Sequence, residues 1–194
     1  MNRRYIARLA ASASLLLPVL AHAELFTFGG TSVDVEYWTG TGQNQAMLVV
    51  DFNPGSSYAF GYRWDQAATG FDMVRDVAAA GGLDFTYTDW GAFGLAVDTI
   101  SYNGNSMGTG GYPADYVYYY LSNDGLNWSE SPAGASSTGL ESGNWNGWAQ
   151  QSVGYPGPYS APVTPVPEPA SAGLLAAGAA VLGWTRWAKR VKRA

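Results

Sequence analysis

SSYAFGYRWDQAATGFDMVRDVAAAGG, residues 56–82, changes its period halfway along. Over 58–64 the rings of Tyr58, Phe60, Tyr62 and Trp64 alternate with Ala59, Gly61 and Arg63. Aromatic residues at a spacing of two describe a strand with one buried face. From Thr69 onward the spacing lengthens: Phe71, Val74, Val77 and Ala78 form a helical stripe. Thr69 stands at the N-cap and Asp72 three residues later, the spacing of a capping box with Asp in place of Glu. Gly81-Gly82 closes the helix. The segment predicts a strand and then one short helix over about 69–80.

The flanking chain reads as strand. Upstream, 32–38 alternates Val33, Val35 and Tyr37 with Asp34 and Glu36. An apolar run over 46–52 ends in Asn53-Pro54-Gly55, a turn. Downstream, strands are expected at 83–88, 92–97, 99–102, 116–121 and 127–130, with short ones at 137–141 and 145–150. Residues 103–113 read as a Gly/Asn loop, and Asn123-Asp124-Gly125 as a hairpin turn. The expected fold is α+β: mostly antiparallel β-sheet with one short helix, occupying 24–155. Six prolines between Pro156 and Pro169 make 156–167 an expected solvated linker.

The ends carry addresses. Arg3, Arg4 and Arg8 precede an apolar stretch and then Ala21-His22-Ala23, so 1–23 reads as a secretory signal helix cut between Ala23 and Glu24. An uncleaved N-terminal anchor is the alternative, and Arg3-Arg4 is also similar to a twin-arginine signal. At the other end, Val166, Pro167, Glu168 and Pro169 precede an uncharged Gly/Ala/Leu-rich run. Uncharged over 170–184 and short of a bilayer by itself, it reads as an apolar helix over about 170–188, where the extension brings in only Arg186, able to snorkel to the interface. Trp184 and Trp187 suit the membrane interface. Arg186, Lys189, Arg190, Lys192 and Arg193 then form a basic stop that keeps the tail cytoplasmic and the body outside.

This order of Pro-Glu-Pro, apolar helix and basic cluster over 166–194 resembles the PEP-CTERM sorting signal of Gram-negative bacteria. The resemblance implies processing by signal peptidase and then by a membrane-embedded exosortase that removes the tail. It also implies association with exopolysaccharide and biofilm. The protein is then expected to be membrane-anchored transiently, and at the cell surface or extracellular after processing. A permanent single-span anchor behind a proline-rich stalk is the alternative.

Composition narrows the chemistry of the body. Residues 24–165 hold two arginines, Arg63 and Arg75, against fourteen carboxylates, a net charge of −12. Such a surface repels nucleic acid and anionic lipid. The chain has no Cys, its one His is His22, and both lysines lie in the tail. The body therefore has no Ser-His-Asp or Cys-His nucleophile, no Schiff-base lysine and no imidazole or thiolate for zinc. No catalytic residue, metal or cofactor is expected, and the protein is read as non-enzymatic. A carboxylate-pair glycosidase drawing on Glu36, Glu130, Glu141 and the aspartates stays open. So does an all-oxygen calcium site at Asn123-Asp124-Gly125 or Asp84/Asp89.

Residues 46–150 also resemble a transcobalamin-type C-terminal domain. The likeness rests on the order of Thr69-to-Val74 helix start, Trp90-Gly91-Ala92-Phe93-Gly94, Val97-Asp98-Thr99-Ile100 and Leu140-Glu141-Ser142-Gly143-Asn144-Trp145. It departs at Glu141-Ser142-Gly143-Asn144, and it implies a small-ligand or cobalamin-like binding module as a second function. A third source of binding is the aromatic content: six Trp and twelve Tyr lie in the body. Flat sugar faces stack on such rings, and the same rings also serve as core and cross-strand pairs. Trp145 and Trp148, flanked by Asn and Gly, are expected at the surface as polysaccharide contacts, followed by Tyr112, Tyr118 and Tyr120.

Overall fold

A computed structural model describes residues 25–52, 56–110, 115–151 and 160–166. The expected signal, the Asn53-Pro54-Gly55 turn, Tyr112, and the tail from Pro167 onward lie outside the described residues.

The chain opens with β1 (Leu25–Phe28), β2 (Thr31–Gly40), β3 (Asn44–Asp51) and β4 (Ser57–Trp64). β3 is apolar on every residue from Ala46 to Val50 because both of its faces are buried. Ala46, Leu48 and Val50 face one core, while Met47 and Val49 face another. β4 lies beside β3 in antiparallel register and sends Phe60, Tyr62 and Trp64 to the first core.

The helix α1 (Gly70–Ala80) follows as its sequence requires. The Asp72 N–H donates to Thr69 Oγ1 at 3.2 Å, and the Thr69 N–H donates back to Asp72 Oδ2 at 2.9 Å. Phe71, Met73, Val74 and Val77 are buried against the sheet. Tyr37 donates its hydroxyl to the Val77 carbonyl at 2.9 Å, tying the helix to β2. Replacing Thr69 by alanine is expected to cost about 1 kcal/mol and lower the melting temperature by about 2–4 °C. Thr69→Ser should restore both in a thermal melt; an unshifted alanine variant would contradict the cap.

β5 (Asp84–Asp89), β6 (Leu95–Tyr102) and β7 (Asn105–Met107) form a three-stranded sheet in the order β5-β6-β7. It packs on the same face as α1 through Val97, Ile100 and Met107. Two expectations are corrected here. The strands expected at 92–97 and 99–102 are one strand with a register shift between Thr86 and Tyr87 opposite it, and Gly91–Phe93 is a 3-10 turn. The loop expected at 103–113 contains β7, because Asn103 (φ 48°) and Gly104 (φ 80°) form the tight hairpin turn that Asn-Gly favours.

β8 (Tyr116–Ser122), β9 (Ser129–Glu130) and β10 (Trp145–Gln151) complete the larger sheet, in the order β1-β2-β4-β3-β10-β8-β9. Its β2·β4 and β3·β10 pairs are parallel and the rest antiparallel. The molecule is thus mostly β with one helix, as expected. No strand forms at 137–141. Ala135–Ser137 is a 3-10 turn, and the following residues pair with the helix start through Gly70 N–H to Thr138 O and Leu140 N–H to Ala68 O.

The expected solvated linker is corrected over its described part, residues 160–166; 156–159 and 167 lie outside the described residues. Residues 160–166 form a strap against the second face of the large sheet. The Val163 N–H donates to Asp51 Oδ2 at 2.9 Å, and Ser57 Oγ donates to the Val163 carbonyl. Thr164 Oγ1 donates to the Gly125 carbonyl, and the Asp34 N–H donates to the Pro165 carbonyl at 3.0 Å. Pro162 sits over Gly147 beside Trp128; a Cβ on Gly147 would come within 2.7 Å of both. Asp34 also faces Leu25 in the β1–β2 register, so the two ends of the described body meet at one residue.

Candidate functional site

The central place of β10 decides the fate of the expected sugar contacts. It lies between β3 and β8, with both faces covered. Trp145 is 0% exposed in the second core, under Phe28 at a ring separation of 5.5 Å. Trp148 is 3% exposed in the first core, 4.6 Å from the Tyr119 ring. Tyr120 is buried and Tyr118 is half-buried between Tyr116 and Tyr120. The expectation that Trp145, Trp148 and Tyr120 stand at the surface is therefore overturned: their rings are core. Tyr112 lies outside the described residues.

The exposed rings sit elsewhere, at the tip of the β5–β6 hairpin. Phe93 is 90% exposed, Trp90 63% and Tyr87 51%. The turn beneath them is tightly bonded. Asp89 Oδ1 accepts the Gly91 N–H at 2.8 Å, and the Gly94 carbonyl accepts the Trp90 N–H at 3.0 Å. Ser136 Oγ accepts the Leu95 N–H at 2.9 Å. Gly94 has φ 90° and a Cβ there would meet Ser136 Oγ at 2.6 Å, so both the turn and its seat require glycine. Tyr87 is steadied by Phe71 and Phe85, at ring separations of 5.1 and 5.8 Å. The opposite face of the hairpin is hydroxylic: Thr86 Oγ1 lies 2.7 Å from Thr99 Oγ1, and Thr88 Oγ1 donates to Asp98 Oδ2 at 2.7 Å. Asp84, Asp89 and Asp98 are exposed, and no Lys or Arg occurs between residues 83 and 110.

An open groove of about 560 Å³ lies between β4 and α1, lined by Tyr62, Trp64, Asp65, Asp72, Arg75 and Asp76. Two carboxylates here are engaged structurally. Arg75 binds Asp72 at 2.9 Å and Asp76 at 3.0 Å, and Tyr62 donates its hydroxyl to Asp76 at 2.8 Å. Partial burial pushes the Asp72 carboxyl up, but the Thr69 hydrogen bonds and the Arg75 charge outweigh it and hold the group below its ordinary range. Asp72 is therefore no proton donor at neutral pH.

The other candidate carboxylates are dispersed. Glu36 on β2 and Glu130 on β9 stand five strands apart, about 24 Å, far beyond the ~5 Å of a retaining pair. Glu36 accepts the Tyr102 hydroxyl at 3.0 Å; burial and that bond push Tyr102 up to about 12. Glu141 accepts from Asn144 in the turn before β10. Asp124 receives the N–H groups of Leu126 and Asn127 and the Asn127 amide at 2.7–2.9 Å, an Asx turn with its oxygens engaged. Asp84 and Asp89 occupy opposite ends of β5, about 17 Å apart along the strand, too far to share an ion. Among the described residues no group of three His, Cys, Asp or Glu could hold a metal ion.

The sequence contains the exposed tip plainly, as Trp90-Gly91-Ala92-Phe93-Gly94 with its flanking glycines. The signal that could have singled it out is the pair of large rings within a Gly-bounded turn between strands. No family model matches the chain, and no curated protein matches it.

Proposed function

We propose that this is an exported, non-enzymatic protein of the bacterial envelope or extracellular matrix, sorted through its C-terminal tail and holding extracellular polysaccharide. The observation that carries the reading is the ordered tail: Val166-Pro167-Glu168-Pro169, an apolar run and five basic residues at the end of the given sequence. The body's chemistry supports it. Residues 24–165 lack imidazole, thiol and lysine, and two of the groove's carboxylates, Asp72 and Asp76, are bound to Arg75. The tip of Tyr87, Trp90 and Phe93 supplies rings for the apolar faces of sugars, and the exposed Asp89 beside Trp90 supplies a hydrogen-bond acceptor. The acidic surround disfavours anionic polymers and anionic lipid, so neutral polysaccharide is the ligand class.

Fractionation of an exosortase-bearing Gram-negative host expressing the full chain tests the sorting half. The wild type should lose a C-terminal epitope and pass to the surface or medium. Glu168→Ala should keep the epitope and stay in the membrane fraction. A wild-type chain that keeps its tail would make it a permanent anchor.

A further inference from the structure

We propose that the strap at residues 160–166 is a latch whose docking on the sheet slows tail removal by keeping the open form scarce. The inference rests on the sorting reading above and adds a control that lies within the folded body. A protease cleft takes its substrate as an extended segment and pairs with its backbone groups, as in strand addition. Here those groups are already engaged. Val163 uses its N–H on Asp51 and its carbonyl on Ser57. Pro162 and Pro165 have no N–H to offer, and the Pro165 carbonyl is held by the Asp34 N–H. Thr164 is buried with its hydroxyl on the Gly125 carbonyl. Occupancy runs up to Pro165, and Val166 is the first residue of the sorting motif. The chain leading into Pro167-Glu168-Pro169 is therefore part of the folded surface rather than a free stalk.

The partners of the strap are spread over the body. Asp34 is on β2, Asp51 on β3, Ser57 on β4, Gly125 follows β8, and Gly147 is on β10. The seat exists only once β10 has entered between β3 and β8, so a docked strap reports a completed fold. When opening is fast relative to cleavage, proteolysis follows the population of the open form. A docked strap then slows tail removal by the ratio of closed to open, and loosening it speeds removal by the factor by which the open population rises.

Two variants loosen the latch by different means. Ser57→Ala with Thr164→Val deletes two of its hydrogen bonds. Gly147→Ala wedges it, because the added Cβ falls 2.7 Å from Pro162 Cγ and from Trp128 Cζ3. Thr164→Ser keeps the hydroxyl and serves as the conservative control. Loss of a C-terminal epitope from the full chain is followed by pulse-chase in exosortase-bearing cells, with Glu168→Ala alongside. Both loosened variants are expected to lose the tail at least about tenfold faster, the first by losing two net hydrogen bonds and Gly147→Ala by displacing Pro162, and Thr164→Ser at the wild-type rate. A melt of each purified variant identifies any that fails to fold, leaving the other to decide. Tail loss that Glu168→Ala blocks, but that proceeds no faster in a folded loosened variant, overturns the latch and leaves the sorting reading standing. A wild-type tail that is never removed overturns both.

Discussion

Trp90→Ala with Phe93→Ala should weaken retention of the protein by neutral extracellular polysaccharide by about 10–100-fold, with almost no change in stability. The two rings are 63% and 90% exposed, so deleting them opens no cavity, and substitutions at such positions usually stay within about ±0.5 kcal/mol. A sugar face that covers about 50 Å² of each ring removes that area from water at about 25 cal/mol per Å², about 1.2 kcal/mol for each ring. Two together account for the expected loss, since tenfold corresponds to about 1.4 kcal/mol. The measurement is affinity electrophoresis of the purified protein through gels containing either a neutral or an acidic polysaccharide. The wild type should be retarded in the neutral gel, and raised salt should not abolish the effect. Because the hairpin carries Asp84, Asp89 and Asp98 and no base, an acidic polysaccharide should retard neither form. Equal retardation of variant and wild type in the neutral gel would take the ligand away from this tip.

The parts of the fold that could be read ahead were local. The capping box at Thr69 and Asp72 involves residues three apart, and the Phe71–Val74–Val77 stripe needs no partner to be recognised. The alternation over β4 was equally legible, since one face of that strand is ring after ring. β10 was legible as a strand but not as a central one. Its parallel partner β3 lies about a hundred residues earlier, and nothing in Trp145-Asn146-Gly147-Trp148 names it. The polar and small residues between the rings suggested a surface. In the fold they have interior tasks: Asn146 accepts the Tyr119 hydroxyl, and Gly147 leaves room for Pro162 and Trp128. The three-residue spacing of the tryptophans places them on opposite faces of the strand, and each face has its own core. The strap is illegible in the sequence for a related reason. Prolines mark chain that cannot join a ladder through their own nitrogen, yet Val163 supplies the N–H that docks this one. The Asn103-Gly104 hairpin differs, because its turn signal is local and complete in the dipeptide, while the short β7 after it has only three residues to mark a strand.

The buried pair predicts the opposite phenotype from the exposed pair. Trp148→Ala should cost about 3–5 kcal/mol, a large part of the roughly 5–15 kcal/mol that holds a domain of this size. Trp148 stands opposite Tyr119 on β8 and Val50 on β3, so its loss opens a void in the middle of the large sheet rather than at an edge. Trp148→Phe should cost much less, about 1 kcal/mol. It keeps most of the ring and removes an indole N–H that has no hydrogen-bond partner among the described residues. Urea unfolding of the three proteins, followed by circular dichroism, checks the order wild type, Phe, Ala. A purified Trp148→Ala protein within 1 kcal/mol of the wild type would mean that β10 does not sit at the centre of the sheet. The strap would then lose its seat as well, since Gly147 is the neighbouring residue. A cell expressing Trp148→Ala should accordingly show little folded protein, and whatever is exported should lose its tail at the unlatched rate. Trp90→Ala with Phe93→Ala, by contrast, should reach the surface in wild-type amount and fail only in retention.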